Sequence, residues 1–371
     1  VTDSRWAWIE VDLDAVRHNV AALRGCQLSG DRFMAVVKSD GYGHGAVEVG
    51  RAALEAGATD LGVSTVAEAL QLREAGFSAP VMVLAEPPEA SAGTLLDHDV
   101  TPALFSAQFA RALSGAAEAR GVSAGYHLKI DTGMSRIGVP FDDAAEFAVA
   151  LAELPGLRLE GTFTHLATAD VPGDWDAETQ IDRFTRALDA MRNERIDPGV
   201  VHAANSAATI LYPKSHFDMV RCGIAVYGLH PSQHTRGRVD LAPAMSVKAK
   251  AVQVKRIAMG EGVSYGLTYR ASAPTTVATL PLGYADGIHR VLSNKMQALC
   301  SGVRVEQVGR ICMDQLMVEI PRQIDAKRGD EFVLVGGQGA ERIGLDELAD
   351  AAGTINYELA CALGARLERL Y

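Results

Sequence analysis

No run of about 18 apolar residues occurs anywhere in the 371-residue chain, so nothing in it reads as a membrane span. A basic surplus is also missing: 35 Lys and Arg stand against 46 Asp and Glu, a formal net charge of −11. A nucleic-acid partner would want a basic stripe, and an anionic membrane surface gets no support either. The balance still allows a local cationic pocket for a phosphate or a carboxylate. Cysteines are few and odd in number (Cys26, Cys222, Cys300, Cys312, Cys361) and show no CxxC spacing. That argues against a zinc site or a disulfide framework, and free thiols suit a reducing cytoplasm. The first 25 residues carry Asp3, Arg5, Glu10, Asp12, Asp14 and Arg17, so no apolar signal-peptide core can be drawn there. Internal repeats and low-complexity segments do not stand out. The expectation is a soluble cytoplasmic protein with no metal, nucleic-acid or membrane partner.

What is present is a large apolar fraction, 48% of the chain, with 22% charged residues. At this length the composition predicts two folded domains. From Arg32 to Gly228 a pattern repeats: a short apolar run, a Gly-rich or polar turn, then a helical stretch. The runs are 32–38, 60–65, 81–86, 100–105, 125–131, 159–167, 199–205 and 219–228, eight strand candidates in all. Helical patterns separate them, among them Val47–Ala56, Ala67–Ala75, Ala107–Ala119 and Gln180–Met191. Near-continuous apolar strands alternating with helices indicate parallel strands covered on both faces. Eight of them in this length fit a (β/α)8 barrel better than an open doubly wound sheet. A helix with Leu13, Val16, Val20 and Leu23 on one face precedes the first barrel strand.

After about Thr235 the texture changes to period-two runs: 246–257, 315–320 and 332–337, punctuated by Gly and Pro. This predicts a mostly antiparallel β domain, closed by an amphipathic helical stretch from Leu345 to Leu370. The fold expected is therefore α/β, an N-terminal (β/α)8 TIM barrel over 11–236 followed by a mostly-β domain over 237–371. Residues 1–10 are expected to pack with the second domain, and the polar stretch from His230 to Arg238 to link the two.

The stretch AVVKSDGYGHG (35–45) carries the most chemical information. Lys38 ends an apolar strand, and Gly41, Tyr42, Gly43 and Gly45 follow at once. In a barrel the C-terminal strand ends form the active-site face, so Lys38 would point into the mouth. A lysine desolvated there can lose its proton and form a Schiff base. On position alone a strand-end lysine in an ion pair fits as well, and both readings stay open.

AVVKSDGYGHG resembles the pyridoxal-phosphate attachment signature of the alanine racemase family, with Ser39 and Gly41 departing from its usual form. The resemblance continues through KIDTGMSRIG (129–138), THLATAD (164–170), HAANSAA (202–208), VRCGIAVYG (220–228), EGVSYG (261–266), LGYADG (282–287), VGRICMDQ (308–315) and TINYE (354–358), all in family order. It implies pyridoxal 5'-phosphate as cofactor, held by Lys38, with Arg221 against the pyridine nitrogen. Arginine is donor-only, so it would leave that nitrogen unprotonated, weaken the electron sink and limit transamination. Phosphate contacts are implied for Tyr42, Ser206, Gly223, Ile224 and Tyr357, with Asn205 beside them; Ser206 reads equally well as a helix N-cap.

Racemisation needs acid/base groups on both faces of Cα. The family implies Lys38 for one face and Tyr265 for the other. A tyrosine's ordinary pKa of about 10 is high for that task, so neighbours must stabilise the phenolate. His165 and Arg221 are the implied partners. For the substrate carboxylate, Arg136 is a fork-shaped cation, which the family holds with a carbamylated lysine at Lys129. Met313 would assist through its backbone amide, with Cys312 and Asp314 beside it. Tyr284 and Tyr357 would narrow the pocket to a small amino acid. The resemblance further implies a homodimer in which Tyr265, Tyr284, Cys312, Met313 and Asp314 act on the partner's barrel. The activity expected is interconversion of L- and D-alanine, supplying D-alanine for peptidoglycan. Alternatives are a serine or broad-specificity racemase, a decarboxylase of the same fold type, and a non-catalytic pyridoxal-phosphate carrier.

Overall fold

The computed structural model describes residues 5–171, 173 and 175–371. The chain opens with strand β1 (Ala7–Val11) and the helix Leu13–Cys26, whose Val16, Val20 and Leu23 are buried as the spacing predicts. Asn19 is also fully buried on this helix. Its amide donates to the carbonyls of Val226 and Ala242 and accepts from the Ala242 amide, so the polar group carries no unmet hydrogen bond into the core.

Strands β2 (Arg32–Val36), β3 (Asp60–Val63), β4 (Val81–Val83), β5 (Val100–Leu104) and β6 (Ala124–Asp131) pair in sequence. A two-residue strand, β7 (Val139–Pro140), adds to β6. Then β8 (Leu157–Phe163), β9 (Val200–His202) and β10 (Met219–Cys222) continue, and β10 pairs with β2. Omitting β7, eight parallel strands close on themselves as a barrel. Helices such as Ala46–Glu55, Val66–Glu74, Ala107–Arg120 and Trp175–Asn193 separate them. Several strands stop short of the apolar runs that announce them: 219–228 yields β10 and then a 3-10 turn over Ile224–Tyr227. Apolar residues past the ladder line the C-terminal loops, where burial continues without strand pairing.

Strands β11 (Met245–Lys250), β12 (Gln253–Ile257), β13 (Gly262–Val263), β14 (Tyr269–Arg270), β15 (Thr275–Leu280), β16 (Gln297–Cys300), β17 (Val303–Glu306), β18 (Leu316–Ile320), β19 (Glu331–Gln338), β20 (Glu341–Ile343) and β21 (Glu368–Leu370) follow. One sheet runs β17-β16-β19-β11-β1-β21, with β20 on β19; a second runs β12-β15-β18, and β13 pairs β14. All these pairings are antiparallel except β1 with β21.

Two expectations are corrected here. The run 246–257 is not one strand: β11 and β12 belong to different sheets, separated at Ala251–Val252. The stretch 345–370 is not one helix either. Leu345–Ala352 ends on Gly353 at φ 74°, a left-handed cap, and a second short helix over Asn356–Ala362 precedes β21.

Contacts divide the chain into two units, Asp14–Gly41 with Ala46–Ala242, and the described residues up to Leu13 with Tyr42–Gly45 and Pro243–Tyr371. Residues 230–238 form a largely exposed turn, with Ser232 capping the 3-10 helix Gln233–Thr235 and Thr235 buried. Among the described residues no helix is long and apolar enough to cross a membrane.

Candidate active site

Lys38 follows β2 at the C-terminal end of the barrel and is half-buried. The backbone after it turns left-handed through Ser39, Asp40, Gly41 and Tyr42 (φ 54°, 51°, 60° and 51°). Three of those are not glycine, and such a conformation costs roughly 1–2 kcal/mol per residue. Neighbours hold it. The Ser39 amide donates to Glu68 Oε1 at 2.6 Å, and Asp40 Oδ1 accepts from the Ala46 amide at 3.1 Å. Glu68 also completes a capping box with Thr65, so its carboxylate is fixed before it meets Ser39. Tyr227, fully buried in the turn after β10, donates its hydroxyl to the Val36 carbonyl at 2.9 Å.

Arg221 lies on β10 with its guanidinium in the barrel interior, 4% exposed. Nη1 donates to His202 Nδ1 at 2.9 Å; Nη2 donates to the Thr164 carbonyl at 2.7 Å, the Ala203 carbonyl at 3.1 Å and His165 Nδ1 at 3.3 Å. Because arginine cannot accept, both imidazoles must present a lone pair on Nδ1 and carry their proton on Nε2. Burial, then the charge of Arg221, holds His165 and His202 well below the usual histidine range. Burial lowers Arg221 itself to about 9. Its Nε–H and its second Nη1–H meet no acceptor among the described residues, which leaves donors for an external atom.

Lys129 sits on β6, 3% exposed, with Nζ donating to the Ile130 carbonyl at 2.8 Å. Burial, then Arg221, brings it down to about 7, with Arg136 acting in the same direction. Arg136 is exposed in the loop after β6. These residues come together: Lys38, Lys129, Arg136 and Arg221 all act electrostatically on His165.

Asn205, not Ser206, is the N-cap of the helix Ser206–Leu211, accepting from the Ala208 amide at 3.0 Å. The cap reading for Ser206 is thereby overturned. Its hydroxyl lies one residue inside the helix and accepts from the Gly223 amide at 2.9 Å, tying the loop after β9 to the loop after β10. The Ile224 amide donates to no backbone group among the described residues.

In the second unit, Tyr265 begins a 3-10 turn after Ser264 (φ 63°) and is 74% exposed. Ser264 Oγ donates to the Arg310 carbonyl and lies 3.2 Å from Cys312 Sγ, which brings the Tyr265 turn against the 310–315 loop. The Tyr284 and Ala285 amides donate to the carbonyls of Cys312 and Met313, both at 3.0 Å. Arg366 donates to Asp314 at 2.6 Å and lies 3.4 Å from Asp286, which is fully buried and held by Arg5. Tyr265, Tyr284, Cys312, Met313 and Asp314 thus form one cluster of laced loops. Tyr42 and Tyr357, also in this unit, place their rings 6.2 Å apart.

Sequence reasoning assigned no role to Tyr227, His202, His127 or Glu68. Two of them had a usable signal: His127 stands two positions from Lys129 on an alternating strand, hence on the same inward face, and His202 opens the motif HAANSAA. Among the described residues no group of three or more His, Cys, Asp or Glu could hold a metal ion.

The sequence matches the family models described as "Alanine racemase, N-terminal domain" over residues 11–231 and "Alanine racemase, C-terminal domain" over residues 244–371. It is 45% identical to an alanine racemase of Desulfosudis oleivorans, over 98% of this chain and 96% of that protein. The fold superposes on an alanine racemase from a D-cycloserine-producing Streptomyces lavendulae at TM-score 0.95 and 39% identity, over 100% and 98% of the two chains. It superposes on the alanine racemase of Bacillus anthracis with bound L-Ala-P at TM-score 0.94 and 38% identity, over 100% and 96%.

Proposed function

The chain belongs to the alanine racemase family, and from that membership we propose that it interconverts L- and D-alanine with pyridoxal 5'-phosphate as cofactor. The observation that carries the reading is Arg221: a buried cation whose hydrogen-bond partners are all acceptors, with Nε–H among the donors left over for a ring nitrogen. The cofactor, when bound, supplies the electron sink that acidifies the substrate Cα–H.

Lys38 would hold the cofactor through Nζ and, once displaced by substrate, take up or return the Cα proton on one face. Tyr265 would serve the opposite face, from the second domain of a partner copy. The proton on His165 Nε2 leaves that imidazole a donor, suited to stabilising a phenolate. Ser206, Gly223, Ile224, Tyr42 and Tyr357 are assigned to the phosphate, with Asn205 fixing the helix start beneath them. Arg136 would take the substrate carboxylate as a fork, helped by the Met313 amide, while Tyr284 and Tyr357 keep the side-chain space small. Lys129 supports the carbamate reading on physical grounds. An amine near pKa 7 is largely uncharged above neutrality and so nucleophilic toward carbon dioxide, and the anion formed would offset the charges of Arg136 and Arg221. We further place the protein in the cytoplasm as a homodimer, supplying D-alanine for peptidoglycan. Its exposed Tyr265, Tyr284 and Met313 are side chains that a second copy would cover.

A panel of L- and D-amino acids followed by circular dichroism tests the activity. Loss of optical rotation with alanine, and much slower loss with serine, is the expected result; carbon dioxide release or no reaction would overturn it. Lys38→Ala should abolish both cofactor colour and racemisation.

A further inference from the structure

The interior of the barrel holds a second histidine that the assigned chemistry does not use. His127 is 5% exposed and lies on β6, two positions from Lys129 on the same inward face. Its Nδ1 is 2.7 Å from His202 Nε2. A Cβ on Gly161 would fall 2.5 Å from His127 Cε1, so the imidazole occupies space that only glycine at that position leaves.

Proton placement in this chain follows from one donor-only group. Arg221 donates to His202 Nδ1, so neutral His202 carries its proton on Nε2 and donates it to His127 Nδ1. His127 in turn carries its proton on Nε2, for which no partner is found among the described residues. That side of the ring lines a cavity of about 420 Å³ at the N-terminal end of the barrel, between Arg32, Asp60, Thr101, Arg158 and Glu160. Phe163 stacks on His202 with ring centroids 4.9 Å apart and planes within 4°, which fixes the plane in which His202 meets its two partners. Burial and the nearby charges of Arg32 and Arg221 keep His127 neutral near neutral pH, down to about 3. A cationic His127 would have no lone pair to offer, and the order of donors would break at His202.

We propose that His127 is a positioning residue: by accepting the His202 Nε2–H it anchors that imidazole with Nδ1 toward Arg221, so that Arg221 is held with its remaining N–H presented to the cofactor's ring nitrogen. The inference rests on the functional reading above and adds a residue to it. By holding Arg221 in place, the chain favours return of the proton to Cα over its delivery to the cofactor. The competing outcome is transamination: alanine and pyridoxal phosphate become pyruvate and pyridoxamine phosphate, with the amino group transferred and water consumed and released in balance.

The test compares the wild-type holoenzyme with His127→Leu, which lacks an acceptor, and with His127→Asn, whose Oδ1 can stand where Nδ1 does. Ring nitrogen NMR of His202 should show a protonated Nε2 and an unprotonated Nδ1 in the wild type. Pyruvate formed per racemisation turnover should rise about tenfold in His127→Leu, the usual worth of a buried hydrogen bond near a charge, and fall back toward wild type in His127→Asn. A proton on His202 Nδ1 in the wild type would overturn the proposal, as would equal partition ratios in all three proteins or an equal rise in both variants. Should His127→Leu fail to fold, His127→Asn and the ring assignment decide. A wild-type protein that holds no pyridoxal phosphate would sink the functional reading instead, whereas a coloured wild type with an unmoved ratio sinks this one.

Discussion

Arg221 and Lys129 bring two amino-acid cations into a barrel whose interior positions are ordinarily filled by branched apolar side chains. Neither makes an ion pair with a carboxylate among the described residues, and each is lowered by its burial. Lys129 gives a pH prediction with a definite sign. The unfolded lysine keeps its proton up to its ordinary 10.5, while the folded amine loses it near 7. Between those values the unfolded chain binds more protons, so stability should rise with pH across that window. In buffer free of carbon dioxide, the urea midpoint of the wild type should climb from pH 7 toward pH 10 more steeply than that of Lys129→Met; parallel curves would count against a buried, depressed amine. Tyr265 gives a kinetic prediction. Tyr265→Ala should slow Cα deuterium exchange by about 10²–10⁴ for one enantiomer and far less for the other, since Lys38 still serves its own face. Equal slowing from both enantiomers would argue against two bases.

Single glycines set the course of whole loops at the element scale. Gly283 lies so close to the carbonyls of Cys312 and Met313 that a side chain would collide with backbone. The contact joins the Tyr284 turn to the 310–315 loop, and a backbone neighbour cannot move aside as a side chain would. Gly283→Ala should therefore cost about 1–3 kcal/mol in chemical denaturation and raise KM for alanine more than it lowers kcat, because the Met313 amide is displaced. An unchanged KM would show that the loop does not position substrate. At the chain's end, Arg366 precedes β21 and reaches both Asp314 and buried Asp286. Its removal leaves Asp286 to Arg5 and the Gly283 amide and frees Asp314, so the same loop should loosen.

For the whole molecule the decisive question is whether two copies share each site. Equal mixing of Lys38→Ala and Tyr265→Ala proteins under conditions of subunit exchange should restore about a quarter of wild-type activity, since half the dimers are mixed and each has one intact site. No recovery, with exchange verified, would place both residues in the same copy's site. Acid stability is also a property of the whole barrel. His127, His165 and His202 are held neutral below the ordinary 6.5, so the unfolded chain takes up protons first as pH falls. Stability should decline below about pH 6.5, and replacing His127 with Asn should soften that decline.

The eight apolar runs between Arg32 and Gly228 were enough to announce a parallel barrel, because strands buried on both faces cannot alternate. The family was likewise legible, since the motifs that carry Lys38, Arg136, Arg221 and Tyr265 occur in order along the chain. Strand ends were not: apolar residues such as Ile224–Tyr227 are buried in turns, and hydrophobicity does not report hydrogen-bond pairing. Nor was the single helix read into 345–370 correct, as Gly353 breaks it at a left-handed cap. Identity and order of residues determined the fold class and the chemistry. Only the closed barrel decided that His127, His202 and Arg221, from three separate strands, meet in one file. Proton placement depends on which nitrogen faces which donor, and that is settled by distances across the barrel, which no spacing along the chain encodes.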